Sequence, residues 1–102
     1  LDPGHRPPDD DAPPAPSGHV IVVGYGLNGE NLARVLRETD LPHVVVELYP
    51  ERLAAARSAG AQVLFGDATR PDVLRQAGVR GANVLVVAIS DPAATRRIVA
   101  MA

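Results

Sequence analysis

VIVVGYGLNG, residues Val20–Gly29, decides how this chain is to be read. Four β-branched residues run directly into glycines at positions 24, 26 and 29, the spacing G-x-G-x-x-G. A short apolar run of this kind predicts a strand buried on both faces. Glycines at its end, followed by a helical pattern, predict the turn that cradles a dinucleotide. The three glycines have separable tasks. Gly24 permits the tight turn, Gly26 lets a pyrophosphate approach the backbone, and Gly29 lets the first helix pack closely on the strand. The helix start then offers free N–H groups and the positive end of its dipole to phosphate. The spacing alone is weak, because glycines occur in many turns. Its place between a strand and a helix is what makes it informative.

The pattern repeats outward from there. Leu32, Val35 and Leu36 follow at helical spacing over 29–38, and Asp40-Leu41-Pro42 breaks the helix. Residues 44–48 (VVVEL) read as a second strand. Pro50 opens a second helix and Gly60 closes it. Residues 62–65 form a short third strand, and a third helix starts at Thr69 or Arg70 and ends at Gly78. Residues 84–89 (VLVVAI) are a fourth strand, and Asp91-Pro92 starts a fourth helix that runs to Ala102. Strand and helix alternating with short connections predict an α/β fold, a Rossmann-like parallel sheet between two helical layers, in the order 3-2-1-4. The fourth strand is apolar throughout, yet no fifth follows it. It is therefore expected to be a sheet edge, and an apolar edge invites a second chain. The expectation is a truncated Rossmann-like domain, either a fragment or a dimer built on that edge or on the fourth helix.

A dinucleotide fold of this type expects an acid at the end of its second strand. Glu47 stands there, about twenty residues after the glycines. Its carboxylate can accept hydrogen bonds from ribose hydroxyls and would repel a 2′-phosphate. NAD(H), AMP, ADP or ATP are expected in preference to NADP(H), a preference that Arg52 one turn later can soften. The alternative is that the glycines serve turn geometry and Glu47 is a solvated strand end. Gly66-Asp67-Ala68-Thr69 follows the third strand at the edge where open α/β sheets bind ligands. Taken alone, Asp67 reads as a cap for the next helix.

Taken together, VIVVGYGLNG, VVVELYPERL, VLFGDATRPDVLRQAGV and ANVLVVAISDP resemble the N-terminal half of RCK domains, also called TrkA-N domains. The likeness is nearest to those of Kef-type cation–proton antiporters. It covers residues 19–102 almost without gaps, and G-D-A-T is its most specific part. The resemblance implies a regulatory, non-catalytic nucleotide-binding domain that controls a potassium or cation transporter. It implies that Gly24, Tyr25, Gly26, Leu27, Asn28 and Gly29 surround the phosphates, that Glu47 holds a ribose, and that Asp67 and Ala68 lie near the adenine. Asn28 sits where the family varies, commonly with Arg or another polar residue, and brings no charge. Phosphate affinity then rests on backbone groups and on arginines whose place the sequence does not give. The resemblance also implies a homodimer or larger ring, a fused or separate membrane transporter or channel domain as partner, and a location on the cytoplasmic face of the membrane. Tyr25 and Tyr49 are either ligand neighbours or ordinary surface aromatics.

The rest of the chain narrows the alternatives. With 102 residues there is room for one small domain. There is no cysteine, so thiol chemistry and thiolate metal sites are excluded. All ten basic residues are arginine, which excludes a catalytic lysine. The net charge of −2 is too mild to suggest nucleic acid. Residues 1–17 carry Asp2, Asp9, Asp10 and Asp11 against Arg6, a net −3, with six of the ten prolines. They read as a disordered linker joining residues 18–102 to something else, and Asp9–Asp11 as solvating rather than metal-binding. A rival reading is the cofactor half of an NAD-dependent oxidoreductase. His19 and His43 precede their strands, at the wrong end of a parallel sheet for catalysis. They are expected to be solvated or locally bonded. A third reading is an assembly module that has lost its ligand.

Overall fold

The computed structural model describes residues 17–102. Four strands, β1 (Val20–Val23), β2 (His43–Glu47), β3 (Val63–Phe65) and β4 (Val84–Val87), form one sheet in the order β3-β2-β1-β4. Every pairing is parallel. The helices α1 (Leu27–Glu38), α2 (Pro50–Ser58), α3 (Pro71–Gln76) and α4 (Pro92–Met101) connect and follow the strands. Among the described residues, no helix is long and apolar enough to cross a membrane. The expected linker lies outside the described residues, apart from Ser17.

Alternation along β1 divides the core in two. Val22 points with Val45 toward Ala33 and Leu36 of α1 and Ala56 of α2. Ile21 and Val23 point with Val44 and Val46 toward Val73 and Leu74 of α3 and Ile98 of α4. Ile21 and Val22 are fully buried. Burying each such side chain contributes about 1.5–3 kcal/mol, so the central strand is held from both faces. β4 pairs with β1 on one side and is the sheet edge among the described residues. Its first residue, Val84, is 49% exposed.

Several boundaries differ from the sequence reading: β3 starts one residue later, at Val63, α3 starts at Pro71, and three further shifts have a clear cause. β4 ends at Val87 rather than Ile89, because its partner β1 ends at Val23 where the chain turns at Gly24. Ala88 N–H still donates to Val23 O at 2.8 Å, and Ile89 has no strand opposite it. β2 runs one residue earlier than expected. His43 pairs with Val20, while Leu48 donates its N–H to the Glu47 carboxylate and leaves the ladder. α1 starts at Leu27 because Glu30 N–H closes the first helical turn onto Gly26 O at 2.8 Å.

The histidine at the foot of the sheet is also a correction. His19 is 2% exposed, not solvated. Its Nε2 donates to Ala77 O, just past α3, at 2.7 Å. Gly18 N–H donates to Gly81 O at 2.7 Å, so the chain entering β1 is tied to the α3–β4 connection. His43 is bonded locally, through Nδ1 to Leu41 O at 2.9 Å.

Candidate functional site

The glycine loop is shaped by its neighbours. Gly24 has φ +100°, a conformation that side chains rarely adopt. A Cβ there would meet Ile89 Cγ2 at 2.7 Å and Ala88 O at 3.0 Å. A Cβ on Gly29 would collide with the carbonyl oxygen of Gly24. Both positions are thus closed to any other residue, Gly24 by its φ and by Ile89 and Ala88, Gly29 by the backbone of Gly24. Gly26 is different. Its φ is −76°, which any residue adopts. A Cβ there would find nothing nearer than the Arg52 guanidinium, Nη1 at 3.7 Å. The fold requires glycine at two of the three positions and leaves the middle one free.

Glu47 is 3% exposed, which rules out a solvated strand end. Its Oε1 accepts from Tyr25 N–H at 2.7 Å. Its Oε2 accepts from Leu48 N–H at 2.6 Å and Tyr49 N–H at 2.8 Å. The carboxylate therefore staples the glycine loop to the turn before α2. A carboxylate offers about four acceptor positions, and three are taken by these backbone groups. One is left for an outside donor. Glu47→Gln replaces an acceptor oxygen with a donor that faces a backbone N–H. Stability is expected to fall by about 2 kcal/mol, read by urea denaturation; an unchanged midpoint would show the staple to be dispensable.

These groups rim an open cleft of about 1060 Å³ along the carboxyl edge of the sheet. That is the upper end of ordinary small-molecule sites. Of the residues singled out from the sequence, Gly24, Gly26, Leu27, Asn28, Glu47, Asp67 and Ala68 line it. Tyr25 and Gly29 do not. Tyr25 is neither a surface aromatic nor a cleft wall: its ring is 6% exposed and packs with Val22, Ala33 and Leu36. The turn at Gly24 sends it to the α1–α2 face, and only its backbone N–H faces Glu47. Tyr49, 54% exposed, does border the cleft.

The far wall was not foreseen. Ser90, the first turn of α4 and Arg97 close the cleft opposite Glu47. The signal was present, since Ser90-Asp91-Pro92 also follows the carboxyl end of a strand. Asp91 caps α4 by accepting from Ala94 N–H at 3.1 Å.

Asp67 shapes the loop between β3 and α3. Its Oδ1 accepts from Thr69 Oγ1 at 2.7 Å and Thr69 N–H at 2.9 Å. It closes this turn rather than capping α3, whose N-cap is Arg70. The Thr69 hydroxyl bond, then the Thr69 backbone bond, hold its carboxyl below the ordinary 3.8; partial burial opposes them, and Arg70 and Arg97 assist. A folded-state pKa below the unfolded value gives stability that is complete above 3.8 and lost as pH falls through the folded value. Wild type is thus expected to exceed Asp67→Ala in stability at neutral pH. The gap should close on acidification past 3.8, followed by urea denaturation across pH. A gap that widens on acidification would contradict the sign.

The comparisons with known proteins agree with this geometry. Residues 20–102 match the family model of the TrkA-N domain. A relative from Cronobacter sakazakii, the glutathione-regulated potassium-efflux system protein KefC, is 39% identical over 79 residues, which are 78% of this chain and 13% of that protein. The chain thus spans a small part of the length of the curated relatives it matches. The solved TrkA-N domain of the inner membrane protein ybaL from Escherichia coli superposes with a TM-score of 0.77 at 30% identity, over 82% of this chain and 62% of that one. A GsuK channel bound to NAD shares the fold, with a TM-score of 0.77 at 23% identity over 88% of this chain and 16% of that one. With the parallel sheet, the glycine loop and the cleft already in view, the match over residues 20–102 makes this chain a member of the TrkA-N domain family.

Proposed function

We propose that this chain is a regulatory nucleotide sensor: it binds NAD(H) or an adenine nucleotide (AMP, ADP or ATP) in the cleft and thereby controls a potassium- or cation-transporting membrane protein. The observation that carries the reading is Gly26. The fold does not need glycine there, whereas a phosphate lying against the backbone does. Glu47 keeps one acceptor position for a ribose hydroxyl, and its charge opposes a 2′-phosphate. Asp67 and Ala68 border the adenine end. A relative named as a glutathione-regulated potassium-efflux protein and a fold neighbour solved with NAD support both halves of the proposal.

Sensing rather than catalysis fits the residues. No lysine is present. His19 precedes β1 and His43 opens β2, at the edge opposite the cleft. The ligand would bridge the glycine loop and the α4 wall across the sheet. It acts as a switch if it binds one arrangement of paired domains more tightly than another. The apolar β4 edge and α4 are the surfaces offered for pairing with a second copy, and the cytoplasmic side of the membrane is the place proposed for it.

The test is calorimetric titration of the chain with NAD, NADH, NADPH, AMP, ADP and ATP. Saturable binding of at least one ligand without a 2′-phosphate, with NADPH weaker, is expected. No binding by any of them to folded protein would overturn the sensor reading.

A further inference from the structure

We infer that Arg52 contacts the ligand's first phosphate, the one attached to the ribose 5′ carbon, where it passes over Gly26. The inference rests on the nucleotide reading of the cleft. The glycine loop supplies backbone dipoles but no cation, since Leu27 and Asn28 are both neutral. Arg52 lies on the first turn of α2, and its guanidinium stands 3.7 Å from the point a Gly26 Cβ would occupy. A phosphate seated against Gly26 would therefore lie within reach of that guanidinium, which binds phosphate with directed, charge-assisted hydrogen bonds. The side chain is also preorganised. Its Cζ lies 5.2 Å from the centroid of the Tyr49 ring, a cation–π contact. Tyr49 is in turn fixed by its N–H bond to Glu47.

The choice of the 5′ position follows from charge. Glu47 is buried at the cleft edge with its carboxylate held by backbone N–H groups. A second negative charge beside it, on the ribose 2′ oxygen, would be repelled. Arg97, the arginine of the far wall, acts on Asp67 and helps keep it ionised. Arg52 is the cation next to the loop itself.

The test compares adenosine, 5′-AMP and 2′-AMP, titrated by NMR into wild type, Arg52→Gln, Arg52→Lys and Tyr49→Leu. Arg52→Gln is expected to weaken 5′-AMP about tenfold and to leave adenosine unchanged. Arg52→Lys should restore part of the loss, because it keeps the charge without the fork. Tyr49→Leu should cost about threefold, on 5′-AMP alone. Equal loss for adenosine would make the role structural and overturn the inference. So would an unchanged 5′-AMP affinity, or a loss confined to 2′-AMP. If wild type binds none of the three, the variants are compared with NAD, ADP and ATP, which carry the same 5′ phosphate, and failure of all of these takes the nucleotide reading down with it; if wild type binds and Arg52→Gln binds equally well, only the role of Arg52 falls.

Discussion

Gly29→Ala is expected to destabilise the domain by about 3 kcal/mol. Alanine is ordinarily the better helix former, by about 1 kcal/mol. Here the added methyl collides with the carbonyl oxygen of Gly24. A flexible side chain would swing aside, but this obstacle is backbone. Nor is the backbone free to retreat. Gly24 N–H is bonded to Val46 O at 2.9 Å, and Ile89 and Ala88 fill the space where a Gly24 Cβ would stand. The strain must therefore spread into β1 and β4 or push α1 off the sheet. A domain of this size has a total stability of roughly 5–10 kcal/mol, so the loss is a large part of it. Urea denaturation reads the effect, with Asn28→Ala as control on the same turn. Asn28 is exposed, and its substitution should stay within about 0.5 kcal/mol of wild type. A Gly29→Ala midpoint equal to that of Asn28→Ala would refute the close approach of α1 to the loop.

Gly26→Ala is expected to do the reverse: little to the fold and much to the ligand. The new methyl enters open space beside Arg52, and Gly26 has an ordinary φ. The stability cost is that of alanine at a helix N-cap, no more than about 1 kcal/mol. The same methyl occupies the place proposed for phosphate. If it removes two charge-assisted backbone bonds, affinity for the tightest nucleotide falls by about 100-fold. Calorimetry and denaturation on the same preparation separate the two effects. Unchanged affinity in the folded variant would mean that no phosphate rests on the loop.

Most of the architecture was legible in the chain because it depends on local pattern. β-branched runs marked the strands, Pro50 and Pro92 marked helix starts, and Gly60 and Gly78 marked helix ends with positive φ. The order β3-β2-β1-β4 followed from alternation and the glycine turn. What escaped the reading depends on closure in three dimensions. Tyr25 looked like a loop aromatic, yet the turn at Gly24 buries its ring. Glu47 does end β2, as its sequence position suggests, but its backbone partners come partly from Tyr25, 22 residues away. No spacing rule reports such a bond. Residues 88–89 looked like strand because they are apolar, but a strand ends where its partner ends. The same closure made Arg97 a wall of the cleft although it lies 30 residues beyond Asp67.

The unequal demands on the three glycines and on Glu47 bear on how such chains age. If a descendant stopped binding nucleotide, Gly24, Gly29 and Glu47 would still be held in place by folding. Gly26 alone would be released to drift. Two paralogues that both keep the outer glycines and the acid could therefore differ in whether they sense anything, and the middle position would tell them apart. A motif search that weights the four residues equally counts mostly the architecture. In this chain, the single position that folding leaves unguarded is still glycine.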